Sequence, residues 1–251
     1  MNGLKSELLK YKRTFTQKLI LGIPLFFAVQ AAAGVSLMPD DIVRTWDLVI
    51  SMVFNVWTTI FLPFGIALFA VLVDNQERKS GNYRSLRSHN ISPAFLWVNK
   101  NVAMAIHTFL ASLVLVVAIL VAGMLTASGD IPWRTILSAN LVVWVVSLVL
   151  IPIQLWAASY KGLFLSMAIG FIGFITGIAA APTSYWIFVP WSWSIRLLSP
   201  IADIHPNGTL LKAGNKLLDS SVIPLGIVVS LIVLIIVLAL TAFWFKRRET
   251  R

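Results

Sequence analysis

Six stretches of this sequence stay apolar for about the thickness of a lipid bilayer, and that alone leaves the chain few architectures. A hydrocarbon core of about 30 Å is crossed by roughly 20 residues of helix. Lipid offers the backbone no hydrogen-bond partner, so each run satisfies its own N–H and C=O groups as a helix. The runs cover residues 19–38, 47–73, 102–127, 134–158, 162–181 and 223–245. Pro63 in the second and Pro152 in the fourth are placed to kink their helices. Composition agrees: 58% of residues are hydrophobic and 12% charged, against roughly 45–50% and about 25% in soluble domains. The expected fold class is an all-α membrane protein with six transmembrane helices, forming a single domain over residues 1–251.

Charge orients these runs. Residues 1–18, the loop 74–101, the Ser159–Tyr160–Lys161 turn and 246–251 hold fifteen of the twenty lysines and arginines. The opposite side keeps Arg44, Arg134, Arg196, Lys212 and Lys216, with six of the ten acids. Basic loops stay in the cytoplasm, so both termini are placed inside. The net charge of +10 therefore reflects membrane orientation, and no nucleic-acid partner is expected. Leu4, Leu8, Tyr11 and Phe15 recur at helical spacing between lysines, which describes an interfacial helix over 1–18; a frayed basic tail is the alternative. The polar start also argues against a cleaved signal peptide. Residues 182–222 are apolar and aromatic at first, but Pro182, Pro190 and Pro200 interrupt them before a full span can form. Short pieces dipping into the outer leaflet, as a re-entrant or interfacial hairpin followed by a polar outer loop, are expected there.

The chemistry excluded is as informative. His107 is the one ordinarily titrating side chain well inside a run, and it reads as a hydrogen-bonded interior histidine. Ion-coupled carriers and proton pumps need acids or bases at membrane depth. A sodium carrier using backbone carbonyls at broken helices stays open as an alternative. His89, His107 and His205 fall in a loop, a span and the opposite loop, and the chain has no cysteine, so no metal site is expected. There is no nucleophile elbow, no zinc-protease motif and no Gly-rich phosphate loop. No catalytic site and no cofactor are expected in this chain, and any driving energy must come from another polypeptide.

The loop 74–101 is where such a polypeptide could take hold. It is too polar for lipid and carries Arg78, Lys79, Arg84, Arg87 and Lys100 against Asp74 and Glu77. Glu77, Gly81, Leu86, Pro93 and Lys100 are similar in order and spacing to the loop between the second and third helices of ABC-2 type transporter permeases. Asn82 stands where that family usually has threonine. The layout of an amphipathic start, six helices, an outer hairpin before the sixth and a basic end resembles the same family. The resemblance implies a short coupling helix in this loop, seated in a groove of a nucleotide-binding ATPase subunit. Glu77, Gly81, Asn82, Tyr83, Leu86 and Pro93 would make or shape that contact. It further implies two ATPase copies carrying ATP and Mg, and a second permease subunit.

More narrowly, chain length and the cluster Tyr185, Trp186, Pro190, Trp191, Ser192, Trp193 and Arg196 resemble lantibiotic immunity permeases of the MutE/EpiE group, with MutG-type subunits the near alternative. That implies a bacterial cell-membrane complex expelling an antimicrobial peptide, with Trp186, Trp191, Trp193 and Arg196 as outer-leaflet contacts. Read from residues alone, the same tryptophans fit an ordinary aromatic belt. Gly170, Gly173, Gly177 and Ala181 place small residues along the fifth run, for packing within the chain or for a seam with a second permease. A non-transporting membrane scaffold or sensor, whose loop binds a cytoplasmic regulator, is the competing function.

Overall fold

The computed structural model describes residues 2–12, 14–39, 41–79 and 92–249. Helix α1 spans Asn2–Tyr11 and α2 spans Phe15–Ser36, the latter capped by the Thr14 hydroxyl, which accepts the Gln17 N–H. Helix α3, Trp46–Val56, passes through a π-helical turn at Trp57–Phe61 into α4, Leu62–Lys79. Pro63 accounts for that turn. It has no N–H for the Thr59 carbonyl and its ring crowds that group, so the ladder widens by one residue, with Leu62 N–H reaching Trp57 O. The Thr58 and Thr59 hydroxyls donate back to Phe54 O and Asn55 O at 2.9 and 2.7 Å.

Helix α5 runs Pro93–Thr126, opening on a proline where a missing N–H removes no helical bond. Helix α6 is Trp133–Ser147 and α7 is Leu150–Ala180. Leu148 and Val149 between them keep helical dihedrals, so α6 continues in direction into α7. The fault in the ladder again precedes a proline: Pro152 cannot donate to Leu148 O, which takes Ile151 N–H at 3.1 Å instead. Within α7 the backbone breaks at Lys161 (φ −129°, ψ 17°) and Gly162 (φ 68°, ψ −147°). Ser166 Oγ donates to Gln154 Oε1 at 2.8 Å, although the two stand 12 residues apart. A straight helix would separate them by about 18 Å. The chain therefore reverses at Lys161–Gly162, and α7 is two antiparallel arms.

Among the described residues, five helices are long and apolar enough to cross a membrane: Phe15–Ser36, Trp46–Lys79, Pro93–Thr126, Leu150–Ala180 and Val222–Arg248. Hydropathy predicts six. The difference lies in the run 134–158, which the Pro152 fault divides between α6 and the first arm of α7. The polar segment from residue 74, expected as loop, begins as helix and stays helical to Lys79. Helix α5 likewise starts at Pro93 rather than at 102.

After a 3-10 turn at Ser184–Phe188, helix α8 covers Pro190–Ala202 and ends at Asp203, whose φ of 56° is left-handed. Pro190 opens this helix and Pro200 lies in its last turn; at 13 residues the helix is shorter than a full span, in line with the short pieces expected here. Most of α8 is buried against α6, α7 and α9. A 3-10 turn at Lys216–Leu218 precedes α9, Val222–Glu249. No strand occurs among the described residues; Thr45 and Ser128 form one isolated bridge and Ile204 and Leu210 another. Helix α4 packs along α7, and α2 along α5. The most apolar window of the α3–α4 unit is 72% buried and that of α9 17%, so α3–α4 is central and α9 peripheral.

Candidate functional site

Helix α4 outlasts its apolar stretch because its polar end is paired from three sides. Asp74 Oδ2 accepts from Arg78 Nε at 2.6 Å and Oδ1 from Ser159 Oγ at 2.9 Å. Arg78 and Arg248 both donate to the Ser159 carbonyl. The root of the polar loop is thus tied to the reversal in α7 and to the end of α9.

One turn on, Glu77 pairs with Lys10 of α1 and stands 3.8 Å from Lys100 of α5. Lys10 Nζ also donates to Glu7 at 2.6 Å, and Gln76 Nε2 donates to Lys10 O at 2.8 Å. Two acids and two lysines from three helices form one cluster, in which Glu7, Glu77 and Lys100 are 3%, 5% and 2% exposed. Charges so buried are kept only if paired. Tyr11 closes the cluster by stacking on His107 at 3.7 Å, and His107 Nδ1 donates to Ala103 O at 2.7 Å. Burial pulls the Lys10 pKa down, but Glu7 and Glu77 together outweigh it and hold it above the ordinary lysine value. Burial first, then the two glutamates, push the Tyr11 hydroxyl well up, so it stays neutral.

The arrangement is a clamp. The last turn of α4 and the first turns of α5 are the two roots of the loop, and α1 locks them together. Of the residues expected to meet an ATPase subunit, Glu77 lies inside this clamp and Pro93 is half-buried at the start of α5. Gly81, Asn82, Tyr83 and Leu86, with the coupling helix expected around them, lie outside the described residues. Sequence reasoning places Glu7, Lys10 and Tyr11 in the interfacial helix and assigns them no part in the site. The signal was present: Glu7 is the single acid of the basic start, three residues before Lys10.

At the other end of the bundle, the aromatic cluster holds the chain together. Trp186 and Trp193 are buried, and Trp193 Nε1 donates to Ile187 O at 3.0 Å. Ser192 Oγ donates to Trp186 O at 2.6 Å, and buried Arg196 donates to Leu217 O at 2.9 Å. Trp191 lies across the α7 glycines: a Cβ on Gly173 would meet its ring at 2.3 Å, and one on Gly177 its backbone oxygen at 3.0 Å. The glycine stripe is therefore used within the chain. Exposed aromatic surface at this end is carried by Tyr185 and Phe188, 69% and 78% exposed, and by Trp133, 51% exposed.

A family model described as "ABC-2 family transporter protein" matches residues 3–177. Comparison with curated proteins and with solved structures finds no match.

Proposed function

The chain belongs to the ABC-2 family of transporter proteins, and from that premise we propose that it is the permease subunit of an ATP-driven exporter. The observation that carries this is the Glu7–Lys10–Glu77–Lys100 clamp at the roots of the polar loop. A loop with loose roots absorbs a push, whereas a clamped one passes it to α4 and α5. Gly81, Asn82, Tyr83, Leu86 and Pro93 are proposed to face a separate ATPase subunit, two copies of which bind ATP and Mg. Glu77 is a positioning residue that acts through the clamp. A second permease subunit completes the complex in a bacterial cell membrane.

The proposed topology has six spans: α2, α3–α4, α5, α6 with the first arm of α7, the second arm of α7, and α9. Both termini lie in the cytoplasm, and α8 with its preceding turn forms a re-entrant outer hairpin. For cargo we propose a lantibiotic or similar antimicrobial peptide, in an immunity role. Exposed Tyr185 and Phe188 would offer it an apolar face, with Trp186, Trp191, Trp193 and Arg196 fixing that face from behind.

The test is ATP turnover of the complex purified with its ATPase. Lys10→Met should leave the subunits together while weakening the response of turnover to peptide by about tenfold, the loss expected when roughly 1.4 kcal/mol of coupling is removed. An unchanged response in a variant that melts normally would defeat the clamp as a coupling device.

A further inference from the structure

We propose that Tyr160, Trp244, Arg247 and Arg248 form a binding site for the phosphodiester headgroup of an anionic phospholipid. These four residues line a cavity of about 550 Å³ where the reversal in α7 meets the end of α9. It lies at the membrane boundary, since the apolar run of α9 ends at Phe245 and Lys246–Arg247–Arg248 follows.

The cavity is built rather than merely charged. Trp156 and Tyr160 stack on each other at 5.9 Å, and Trp244 stands edge-on to both, with ring centroids 6.2 and 6.1 Å away. The Arg248 guanidinium lies 5.5 Å over the Trp244 ring and is pinned by its bond to Ser159 O. Arg247 lies 4.2 Å over Phe243, and Lys161 is 5.7 Å from the Tyr160 ring. Rings that prefer the headgroup layer thus hold the cations in place. Asp74, beside this end, is already occupied by Arg78 and Ser159. Guanidinium forks match phosphate oxygens in pairs, which suits a phosphodiester better than a single ammonium would. A headgroup bound there would bridge the turn of α7 to the end of α9, both of which already share Ser159 with Arg78.

Native mass spectrometry of the full chain, released from bilayers of equal phosphatidylglycerol and phosphatidylcholine, tests this. Phosphatidylglycerol should be retained selectively, and Arg247→Gln with Arg248→Gln should lower its retention about thirtyfold, as expected for two basic contacts. Lys212→Gln with Lys216→Gln, at the opposite end, should change nothing. Arg247→Gln alone keeps the Arg248–Ser159 bond and serves if the double variant does not fold. Equal retention of both lipids, or equal loss in the control pair, would overturn the site. Displacement of the lipid by inorganic phosphate alone would assign the cavity to a soluble anion and overturn the lipid source.

Discussion

Gly170 shows how little room single positions leave where α4 and α7 cross. A Cβ there would come within 2.9 Å of the Pro63 carbonyl oxygen, a backbone atom that cannot swing aside. We expect Gly170→Ala to destabilise the protein by about 1–3 kcal/mol through overpacking, despite alanine's better helix propensity. A lowered thermal midpoint in detergent checks it; an unchanged or raised one would mean that the helices separate freely here. Glu77 answers to charge rather than volume. Glu77→Gln removes the buried carboxylate that Lys10 and Lys100 share, and removing one partner of a buried ion pair costs about 3–5 kcal/mol. Adding Lys100→Met should recover part of that loss, because one of the two cations that the Glu77 carboxylate faces goes with it. If the double variant is no more stable than the single one, Lys100 is not what Glu77 neutralises. Lys10 gives a pH signature. Its folded-state pKa is raised, so its contribution is complete below the unfolded value of 10.5 and is lost as pH rises through the folded one. Docking of α1, followed by hydrogen exchange, should be insensitive to Lys10 between about pH 6 and pH 9 and weaken only above 10.5.

Elements in this fold are shaped by where prolines and glycines interrupt otherwise uniform helix. Pro63 and Pro152 each leave a fault at or just before their own turn, and the helix axis runs on. Gly162 does something different, because its φ of 68° with ψ of −147° lies in a region nearly closed to residues with a Cβ. Nothing lies within 4 Å of a Cβ built there, so Gly162→Ala isolates the backbone cost. We expect a loss of about 1–3 kcal/mol, read as a lower midpoint with unchanged helix content. Wild-type stability in that variant would mean that the reversal does not need this conformation. This turn was legible in sequence, since three polar residues separate two apolar runs. The α4 extension was not: Asp74, Glu77 and Arg78 have the hydropathy of a loop, and only partners on α1, α5 and α7 keep this segment helical, with Asp74 and Glu77 buried. Helix α8 was hidden for the opposite reason. Its prolines suggested interruption, but Pro190 occupies a helix start, and the loss at Pro200 falls in the final turn. At the outer end, tryptophan content marked an aromatic site without saying which rings face inward; packing over Gly173 and Gly177 decided that for Trp191.

For the whole molecule, the reversal at Lys161–Gly162 fixes how many times the chain changes direction, and hence what its two ends share. Arg248 near the C-terminus reaches Ser159, Arg78 reaches the same carbonyl, and Lys10 near the N-terminus pairs with Glu77 one position before Arg78. Both terminal segments therefore meet at one end of the bundle, which an even number of crossings requires and an odd number forbids. Thr45, Ser128 and Gly129 mark the opposite end, where Trp46 Nε1 donates to Gly129 O. The chain has no cysteine, so single introduced thiols report topology without background. In intact cells, a membrane-impermeant maleimide should label Lys212→Cys and Ser128→Cys. Lys161→Cys and Lys246→Cys should react only after the membrane is opened. The basic ends predict this sign, because lysine and arginine near span ends hold their loops on the cytoplasmic side. Labelling of Lys161→Cys from outside, with Lys212→Cys protected, would invert the molecule and place the clamped loop roots beyond the reach of any ATP-driven partner. Labelling of both from the same side would remove a crossing, and with it the two-arm course that the Ser166–Gln154 bond imposes on α7.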